Sequence, residues 1–383
     1  MRVPRRSAGT PGVAMSALGA NGRARGTAMR SPARRVAGPA AAPYAARLLQ
    51  RVGAAFRSAC RDIASRLSVR HAARVLAMVG MLAAPGAHAA AGGEAVFPRT
   101  VVDDDGRALT LAAPARRIVT IAPNLTEIVA DLGALDRLVA TVDTSNHPDA
   151  ARAVPRIGDH QRLDLERLIA LRPEVVLVWT HGGTERELEA LRRAGLALFK
   201  VEPMRLDEVP GAIEKVARLL GLDAVGRGRA AALREALAAL RAARPAAAAP
   251  VDVFYQVWAE PLMTITDRQL IGDVIALCGG RNVFGALAPL VPQVSTEAVL
   301  RARPEAILAA REDGSGGPAA RRAPQDRAFA AWRRFADFTP VRRGWLYTLP
   351  GDEITRAGPR IVDGARAMCS ALDEVRRERE ARP

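Results

Sequence analysis

Apolar runs alternate with amphipathic segments along most of the chain. Residues 117–122 form a strand-like apolar run, and Asn124 and Glu127 follow at the spacing of a capping box. The helix that this box would open is expected to end at Gly133, and residues 138–142 form the next apolar run. Strands that alternate with helices in this way indicate parallel βαβ units and therefore an α/β fold.

An internal repeat is the strongest pattern in the sequence. Residues 163–179 align without gaps against residues 294–310, at an offset of 131 residues. The alignment pairs Glu166 with Glu297, and it pairs two Arg-Pro-Glu triplets that each precede an apolar run. A repeat of this size indicates two domains of similar structure.

Each copy of the repeat predicts the same local structure. Asp164 in the first copy and Ser295 in the second are suited to cap a helix, and Pro173 and Pro304 would end that helix before a buried strand. A helix, an Arg-Pro pair and a strand also form a common junction in α/β proteins. Two ungapped copies favour a duplicated lobe instead.

A single long helix is predicted between the two lobes. Residues 223–244 are rich in Ala, Leu and Arg at helical spacing, and a proline-flanked segment follows at 245–250. The expected fold is α/β with two lobes, each built on a mostly parallel sheet flanked by helices, joined by one long helix. The expected boundaries are 1–89 for a basic leader with a signal peptide, 90–114 for a linker, 115–222 for the N-terminal lobe (N-lobe), 223–250 for the connecting helix and its linker, 251–376 for the C-terminal lobe (C-lobe) and 377–383 for a tail.

The net charge of +16 is concentrated in the leader. Residues 1–90 hold 15 Lys and Arg and one acid, whereas residues 91–383 hold 41 Lys and Arg and 39 acids. The part expected to fold is therefore close to neutral. It has no compositional basis for a nucleic-acid interface, and no nucleic-acid partner is expected.

Residues 66–89 have the organisation of a secretory signal peptide. Basic residues precede an apolar run at 75–84, and the small residues Ala87 and Ala89 flank His88 as at a cleavage site. The run is too short to span a bilayer, so we expect cleavage near Ala89 and a soluble periplasmic protein. Residues 1–68 either extend the basic region or precede the true start, and a start at Val69 is the favoured interpretation.

Cys278 and Cys369 are the cysteines outside the leader, which holds Cys60. An exported protein meets an oxidising compartment. The pair therefore predicts a disulfide.

Sequence motifs of the common catalytic sites do not occur. The chain has no Gly-x-Ser-x-Gly, no His-Glu-x-x-His and no phosphate-binding glycine loop. Three histidines beyond the leader, His147, His160 and His181, fall in the predicted N-lobe without a matching set in the C-lobe. We expect no enzyme activity, no resident metal and no cofactor. One histidine, by preference His160, could ligate the metal of a bound haem or corrinoid, or all three could be solvated loop residues.

Five segments together carry a resemblance to a known family. They are residues 121–127 (IAPNLTE), 163–166 (LDLE), 277–284 (LCGGRNVF), 292–295 (PQVS) and the helix from Pro359 to Cys369. In order and spacing they resemble the substrate-binding proteins of vitamin B12, haem and ferric-siderophore ABC importers whose lobes are joined by one helix. The resemblance is strongest to the vitamin B12 binders and covers nearly all of residues 115–376. It implies a ligand cleft between the lobes, at the strand ends where open parallel sheets bind ligands.

The resemblance also implies which residues line the cleft. The implied ligand contacts, N-lobe first, are Thr144, His160 and Trp179, and then Met263, Val291, Asp352 and Arg356. Trp179 and the Asp352-x-x-x-Arg356 pair keep the pattern of the vitamin B12 binders. The other four positions are more often aromatic in those proteins. Asp352 and Arg356 also fit an ordinary i,i+4 ion pair on a helix surface.

The chemistry of these residues suits a corrinoid, a large flat ring with apolar faces and a rim of amides. Asp352 can accept hydrogen bonds from amide N–H groups, and Arg356 can donate to amide oxygens. Apolar contact with the ring could come from Trp179, Phe254, Tyr255, Trp258 and Met263. Tyr255 and Trp258 fit a strand core equally well.

Two alternatives to a corrinoid-binding importer component stay open. The ligand could be haem or a ferric siderophore. The chain could also be an enzyme on a nitrogenase-like two-lobed scaffold, although it lacks a set of cysteines for a metal cluster.

Glu166 and Glu297 are the implied contacts with a membrane permease. In the family, glutamates at these positions, one per lobe, pair with permease arginines. An acid in the first turn of a helix is also favoured by the helix dipole alone, which is the alternative. In isolation the protein is expected to be a monomer.

Overall fold

The computed structural model describes residues 96–159, 162–180, 184–244, 248–311 and 319–381. The predicted leader and signal peptide, His160 and His181 lie outside these residues. Within them, no helix is both long and apolar enough to cross a membrane.

The N-lobe is built on a four-stranded parallel sheet. The strands of that sheet are β3 (Ile118–Thr120), β4 (Leu138–Thr141), β5 (Val175–Val178) and β6 (Leu198–Lys200). Two further strands, β1 (Arg99–Val102) and β2 (Ala108–Leu111), precede them in the chain. The α-helices of the N-lobe are α1 (Pro123–Asp131), α2 (Leu165–Ala170), α3 (Glu185–Arg193) and α4 (Val209–Leu220). The sheet order is β4-β3-β5-β6, and every pair is parallel. Strands β3 and β5 are buried along their whole length, which explains why the sequence there is continuously apolar.

Residues 90–114 were expected to be a linker, and that expectation is wrong for the described part. Strands β1 and β2 form an antiparallel hairpin there, and Val101 and Leu111 are buried in the main core. The turn contains Gly106 at φ 78°, a backbone conformation that glycine adopts without strain. Alternating polarity around an acidic turn ending in Gly106 is a hairpin signal that composition alone obscured.

The connecting helix is α5 (Asp223–Ala242), a continuous helix of 20 residues. It packs against α4 of the N-lobe and against the last helix of the C-lobe. A Cβ atom at Gly226 would lie 2.3 Å from the Cβ of Ala217 in α4, so the close crossing of the two helices needs glycine at this position. The two lobes are thus joined by an element that is itself packed against both.

The C-lobe repeats the parallel architecture with one added antiparallel edge strand. Its strands are β7 (Val251–Gln256), β8 (Trp258–Ala259), β9 (Leu262–Met263), β10 (Gly280–Asn282), β11 (Ala306–Ala310), β12 (Arg321–Arg322) and β13 (Leu346–Leu349). Its helices are α6 (Leu270–Leu277), α7 (Thr296–Ala302), α8 (Thr339–Arg343), α9 (Gly351–Thr355) and α10 (Ile361–Glu380). The main sheet has the order β10-β7-β11-β13-β12, and only β12 is antiparallel to its neighbour. The predicted α/β fold with two lobes is confirmed.

The end of the chain is helical beyond the expected boundary. A tail was expected from residue 377, but α10 continues to Glu380. Its last turns are anchored because the indole nitrogen of Trp345 donates to Glu378 at 2.9 Å and Arg379 pairs with Glu305 at 3.2 Å. These long-range contacts hold the charged end of the chain against the rest of the C-lobe.

The two copies of the repeat adopt the same local structure. The Asp164 side chain accepts from the backbone N–H of Arg167 at 3.0 Å, and Ser295 accepts from that of Ala298 at 3.2 Å. An arginine in the left-handed conformation follows each helix, Arg172 at φ 45° and Arg303 at φ 49°.

The glutamate after each proline also has the same role in both lobes. The Glu174 side chain accepts from the backbone N–H of Arg117 at 2.9 Å, beside the start of β3. The Glu305 side chain accepts from that of Asp252 at 3.0 Å, in β7. The Arg-Pro-Glu triplets therefore join equivalent strands in the two lobes.

The predicted disulfide is present between Cys278, at the end of α6, and Cys369, in α10. The two Cα atoms lie 4.6 Å apart, and 91 positions separate them in the sequence. The crosslink therefore encloses β10, β11 and β13 in one covalent loop.

Breaking this disulfide should lower the free energy of unfolding by up to about 4 kcal/mol, because a loop of this length restricts the unfolded chain strongly. The comparison is between wild type and the Cys278→Ser/Cys369→Ser double variant in urea unfolding. A reductant should shift the wild-type midpoint towards that of the variant and leave the variant unchanged. An unfolding midpoint that does not respond to reductant in either protein would contradict this prediction.

Candidate functional site

The loops at the carboxyl ends of the parallel strands form the candidate site. In the N-lobe, β3 leads into the start of α1 and β4 leads into residues 142–147. In the C-lobe, β7 leads into the β8–β9 hairpin and β13 leads into α9. Open parallel sheets bind their ligands at this edge.

A buried carboxylate of the N-lobe is paired with two arginines of the C-lobe. Glu127, in α1, is 3% exposed. Its side chain accepts hydrogen bonds from Arg356 at 2.7 Å and from Arg360 at 2.7 and 3.0 Å. Because a buried carboxylate is strongly destabilising without compensation, this pairing ties the two lobes together at the strand ends.

Arg356 connects this carboxylate to the predicted ligand contacts. Its guanidinium donates to the Asn146 side chain at 2.7 Å and to the Thr144 carbonyl oxygen at 3.2 Å, and it pairs with Asp352 at 2.8 Å. Asn146 in turn donates to Asp352 at 2.9 Å. The structure thus brings Thr144, Asp352 and Arg356 together across the two lobes and adds Asn146 to them.

A group of buried hydroxyls holds the loop that carries Thr144 and Asn146 in place. Thr120, Thr126, Thr141 and Ser145 are linked by hydrogen bonds of 2.7 to 2.9 Å. They join β3, α1 and β4 to the loop itself. This network limits the positions that Asn146 can adopt.

Arg360 completes the group on the C-lobe side. It donates to Glu353 at 2.6 Å as well as to Glu127. Burial would lower the pKa of Arg360, but its hydrogen bond to Glu127 and the nearby carboxylates outweigh that effect and raise the pKa. A cavity of about 210 Å³ lies beside this group, and its lining includes Asn146, His147 and Asp352.

Glu127, Asn146 and Arg360 were missed at the sequence level. Asn124 and Glu127 have the spacing of a capping box, but that interpretation is wrong, because α1 begins at Pro123 and has no side-chain cap. Asn124 donates instead to the Ala357 carbonyl oxygen of the C-lobe at 3.3 Å. A capping box and an interlobe contact have the same local pattern, so only the position of the C-lobe distinguishes them.

The other predicted contacts of the C-lobe are outside this hydrogen-bonded group. Met263 is half-buried in β9, opposite Trp258 of β8, and Val291 is 39% exposed. Phe254 and Tyr255 are fully buried in β7, the second strand of the sheet, so the suggestion that they contact a ligand is wrong. Sequence polarity could not separate these two residues from Trp258, because Trp258 follows Tyr255 after only Gln256 and Val257.

Trp179 directly follows β5 and is half-buried against the main core. It borders a small cavity of about 80 Å³ that is also lined by Asp105, Thr180 and Lys200. Its role as a ligand contact stays a prediction, as does that of His160, which is outside the described residues.

Glu166 and Glu297 are both exposed in the first turn of their helices. Hydrogen bonds from its own backbone N–H and from Ser295 lower the pKa of Glu297. Both residues are thus available to a partner, in equivalent places on the two lobes.

Metal binding by side-chain clusters has no support in the described part of the chain. No group of three or more His, Cys, Asp or Glu residues there is arranged to hold an ion.

Replacing Glu127 with Gln should destabilise the protein by about 3 kcal/mol, because Arg356 and Arg360 would lose the charge that compensates them in a largely buried position. The matched control is Glu353→Gln, which removes a more exposed partner of the same Arg360 and should cost less than about 1 kcal/mol. Urea unfolding of the three proteins measures both effects. Equal, small losses for the two variants would show that Glu127 is not the main link between the lobes.

The chain is similar to known proteins in both sequence and structure. A profile of the periplasmic binding protein family matches residues 118–353. The chain is 30% identical over 272 residues to a vitamin B12-binding protein of Vibrio parahaemolyticus, an alignment that covers 71% of this chain and 94% of that protein. A vitamin B12-binding protein of Photorhabdus laumondii is 31% identical over 265 residues, with coverage of 69% and 90%.

Solved structures of periplasmic binding proteins are also similar to this chain. The crystal structure of the periplasmic vitamin B12 binding protein BtuF of Vibrio cholerae is similar with a TM-score of 0.60 and 30% identity, covering 68% of this chain and 98% of that one. A periplasmic heme binding protein from Pseudomonas aeruginosa gives a TM-score of 0.58 at 25% identity, with coverage of 67% and 92%. On the family profile, the relatives and the fold together, the chain belongs to the family of periplasmic binding proteins.

Proposed function

We propose that this chain is the ligand-capturing component of an ABC importer and that it binds a corrinoid, such as vitamin B12, between its lobes. Relatives named vitamin B12-binding proteins match this chain over at least nine-tenths of their own length. The observation that carries the proposal is the group of Thr144, Asn146, Asp352 and Arg356 at the strand ends of both lobes.

The chemistry of this group fits the rim of a corrinoid. The Asp352 carboxylate accepts from amide N–H groups, the Arg356 guanidinium donates to amide oxygens, and the Asn146 amide does both. The proposed contacts are Thr144, Asn146, His160, Trp179, Met263, Val291, Asp352 and Arg356. Binding and release with no chemical change to the ligand is the activity that such a group supports.

Export to the periplasm is part of the proposal. Its support is the family of the chain and the basic, then apolar, leader that ends at Ala89. The exported protein is proposed to be a soluble monomer that begins near Ala90.

Protein recovered from the periplasmic fraction, with Ala90 as its first residue, should bind cyanocobalamin and cobinamide in calorimetry. Asp352→Ala should raise the Kd about tenfold, because a rim amide would lose a charged acceptor. Asp363→Ala is the matched control, since it removes another helical aspartate that pairs with an arginine, Arg366, and it should leave the Kd unchanged. Tight binding of haemin or a ferric siderophore without corrinoid binding would overturn the proposed ligand.

Docking on a permease through Glu166 and Glu297 is the second part of the proposal. The two side chains are exposed, acidic and equivalent in the repeat, so they offer one charged point per lobe to a two-fold partner. Arginine pockets on such a partner would form charge-assisted hydrogen bonds with them.

The Glu166→Ala/Glu297→Ala variant should keep its corrinoid affinity and stability but lose transport in vesicles that contain the cognate permease, because neither side chain belongs to the cleft group. Glu189→Ala/Glu235→Ala, which also removes two exposed acids, should transport as wild type does. Normal transport by the first variant, or loss of its ligand affinity, would show that these residues do not dock the permease.

A further inference from the structure

Exposed apolar side chains are concentrated on one part of the C-lobe. In the described residues, nine large apolar side chains are exposed, and five of these lie between positions 257 and 291. They form what we call the Trp258 patch, which consists of Val257, Trp258, Leu287, Leu290 and Val291. Single exposed apolar residues are common, but a concentration of them marks a candidate binding surface, and Val257 and Trp258 directly follow the carboxyl end of β7.

Trp258 is the most exposed member of this patch, at 54%. The other tryptophans of the lobe, Trp332 and Trp345, are 1% and 3% exposed. Each of those two also has a hydrogen-bond acceptor for its indole nitrogen, at 2.7 and 2.9 Å. The core of the lobe is therefore complete without Trp258, whose large ring lies outside it.

The indole shares a face with predicted ligand contacts. Trp258 is directly opposite Met263 in the β8–β9 hairpin, and Met263 is opposite Gln293 in an antiparallel bridge. Directly opposed residues of antiparallel strands project to the same side, so Trp258, Met263 and Gln293 form one row. Val291 lies two residues before Gln293, in the segment that pairs with β9.

The hairpin that carries this row is held firmly. The backbone N–H of Val257 donates to the carbonyl oxygen of Met263 at 2.9 Å, and that of Val294 donates to the carbonyl oxygen of Leu262 at 3.0 Å. The backbone N–H of Thr264 likewise donates to the carbonyl oxygen of Pro292 at 3.0 Å. The backbone that carries Trp258 therefore needs little further ordering when a ligand binds.

We propose that Trp258 is the main apolar contact for the ligand on the C-lobe wall and that its indole packs against the flat face of a corrinoid ring. This inference rests on the proposed function and adds a residue that the family resemblance did not assign. Met263 and Val291 occupy positions that are more often aromatic in vitamin B12 binders, and Trp258 places an aromatic ring next to them.

Trp258→Ala should raise the Kd for cyanocobalamin about tenfold, as expected for a buried aromatic anchor. Trp258→Phe keeps a ring and should stay within about threefold of wild type. Cobinamide retains the corrin ring but lacks the nucleotide tail, so each variant should lose affinity for cobinamide by the same factor as for cyanocobalamin. Val225→Ala, which removes an exposed apolar side chain from α5, is the control and should change nothing.

Fluorescence gives a second readout that depends on contact with the indole. Corrinoid binding should quench the tryptophan emission of wild type, and Trp258→Phe should lose much of that quenching. Thermal unfolding of both variants should match wild type, because Trp258 lies outside the core.

The outcomes separate the two proposals. If wild type binds no corrinoid, the proposed function and this inference both fail. If wild type binds but Trp258→Ala keeps its affinity within about twofold, only this inference fails. Normal affinity of Trp258→Ala with lost transport would assign the patch to the permease instead, and concentration-dependent self-association of wild type that Trp258→Ala abolishes, without a change in affinity, would assign it to a second copy of the chain.

Discussion

A carboxylate that is removed from water needs positive charge close by, and in this protein that charge comes from the other lobe. Glu127 belongs to the N-lobe, whereas Arg356 and Arg360 belong to the C-lobe. Neither lobe alone can satisfy the group. Arg356, one of the two arginines that compensate Glu127, also contacts Asn146 and Asp352. The electrostatic link between the lobes and the arrangement of the candidate site therefore depend on each other.

Features that depend on neighbouring residues could be predicted from the sequence, whereas features that depend on distant contacts could not. The caps at Asp164 and Ser295 and the strands after each Arg-Pro pair follow from local rules, and the structure has them. Glu127 was interpreted as part of a capping box because its arginine partners lie 229 and 233 residues away. Trp258 could not be distinguished from Tyr255 because its exposure depends on a hairpin of two-residue strands.

The two copies of the repeat are alike on one side of the lobes and different at the cleft. Caps, helix ends and the Glu174 and Glu305 contacts have close counterparts in the two lobes. In the group at the strand ends, the N-lobe contributes the Glu127 carboxylate and the Asn146 amide, whereas the C-lobe contributes the guanidinium groups of Arg356 and Arg360. A duplicated scaffold can thus present equivalent outer surfaces to a two-fold partner while its inner walls recognise an asymmetric ligand.

The disulfide between Cys278 and Cys369 has a consequence for survival among proteases. It encloses nearly all of the C-lobe after α6, including the strands β10, β11 and β13. A single backbone cut anywhere between the two cysteines would open the chain without releasing a fragment. The severed ends would stay tethered to the same folded lobe, and the nicked molecule would keep both walls of its cleft in one covalent piece.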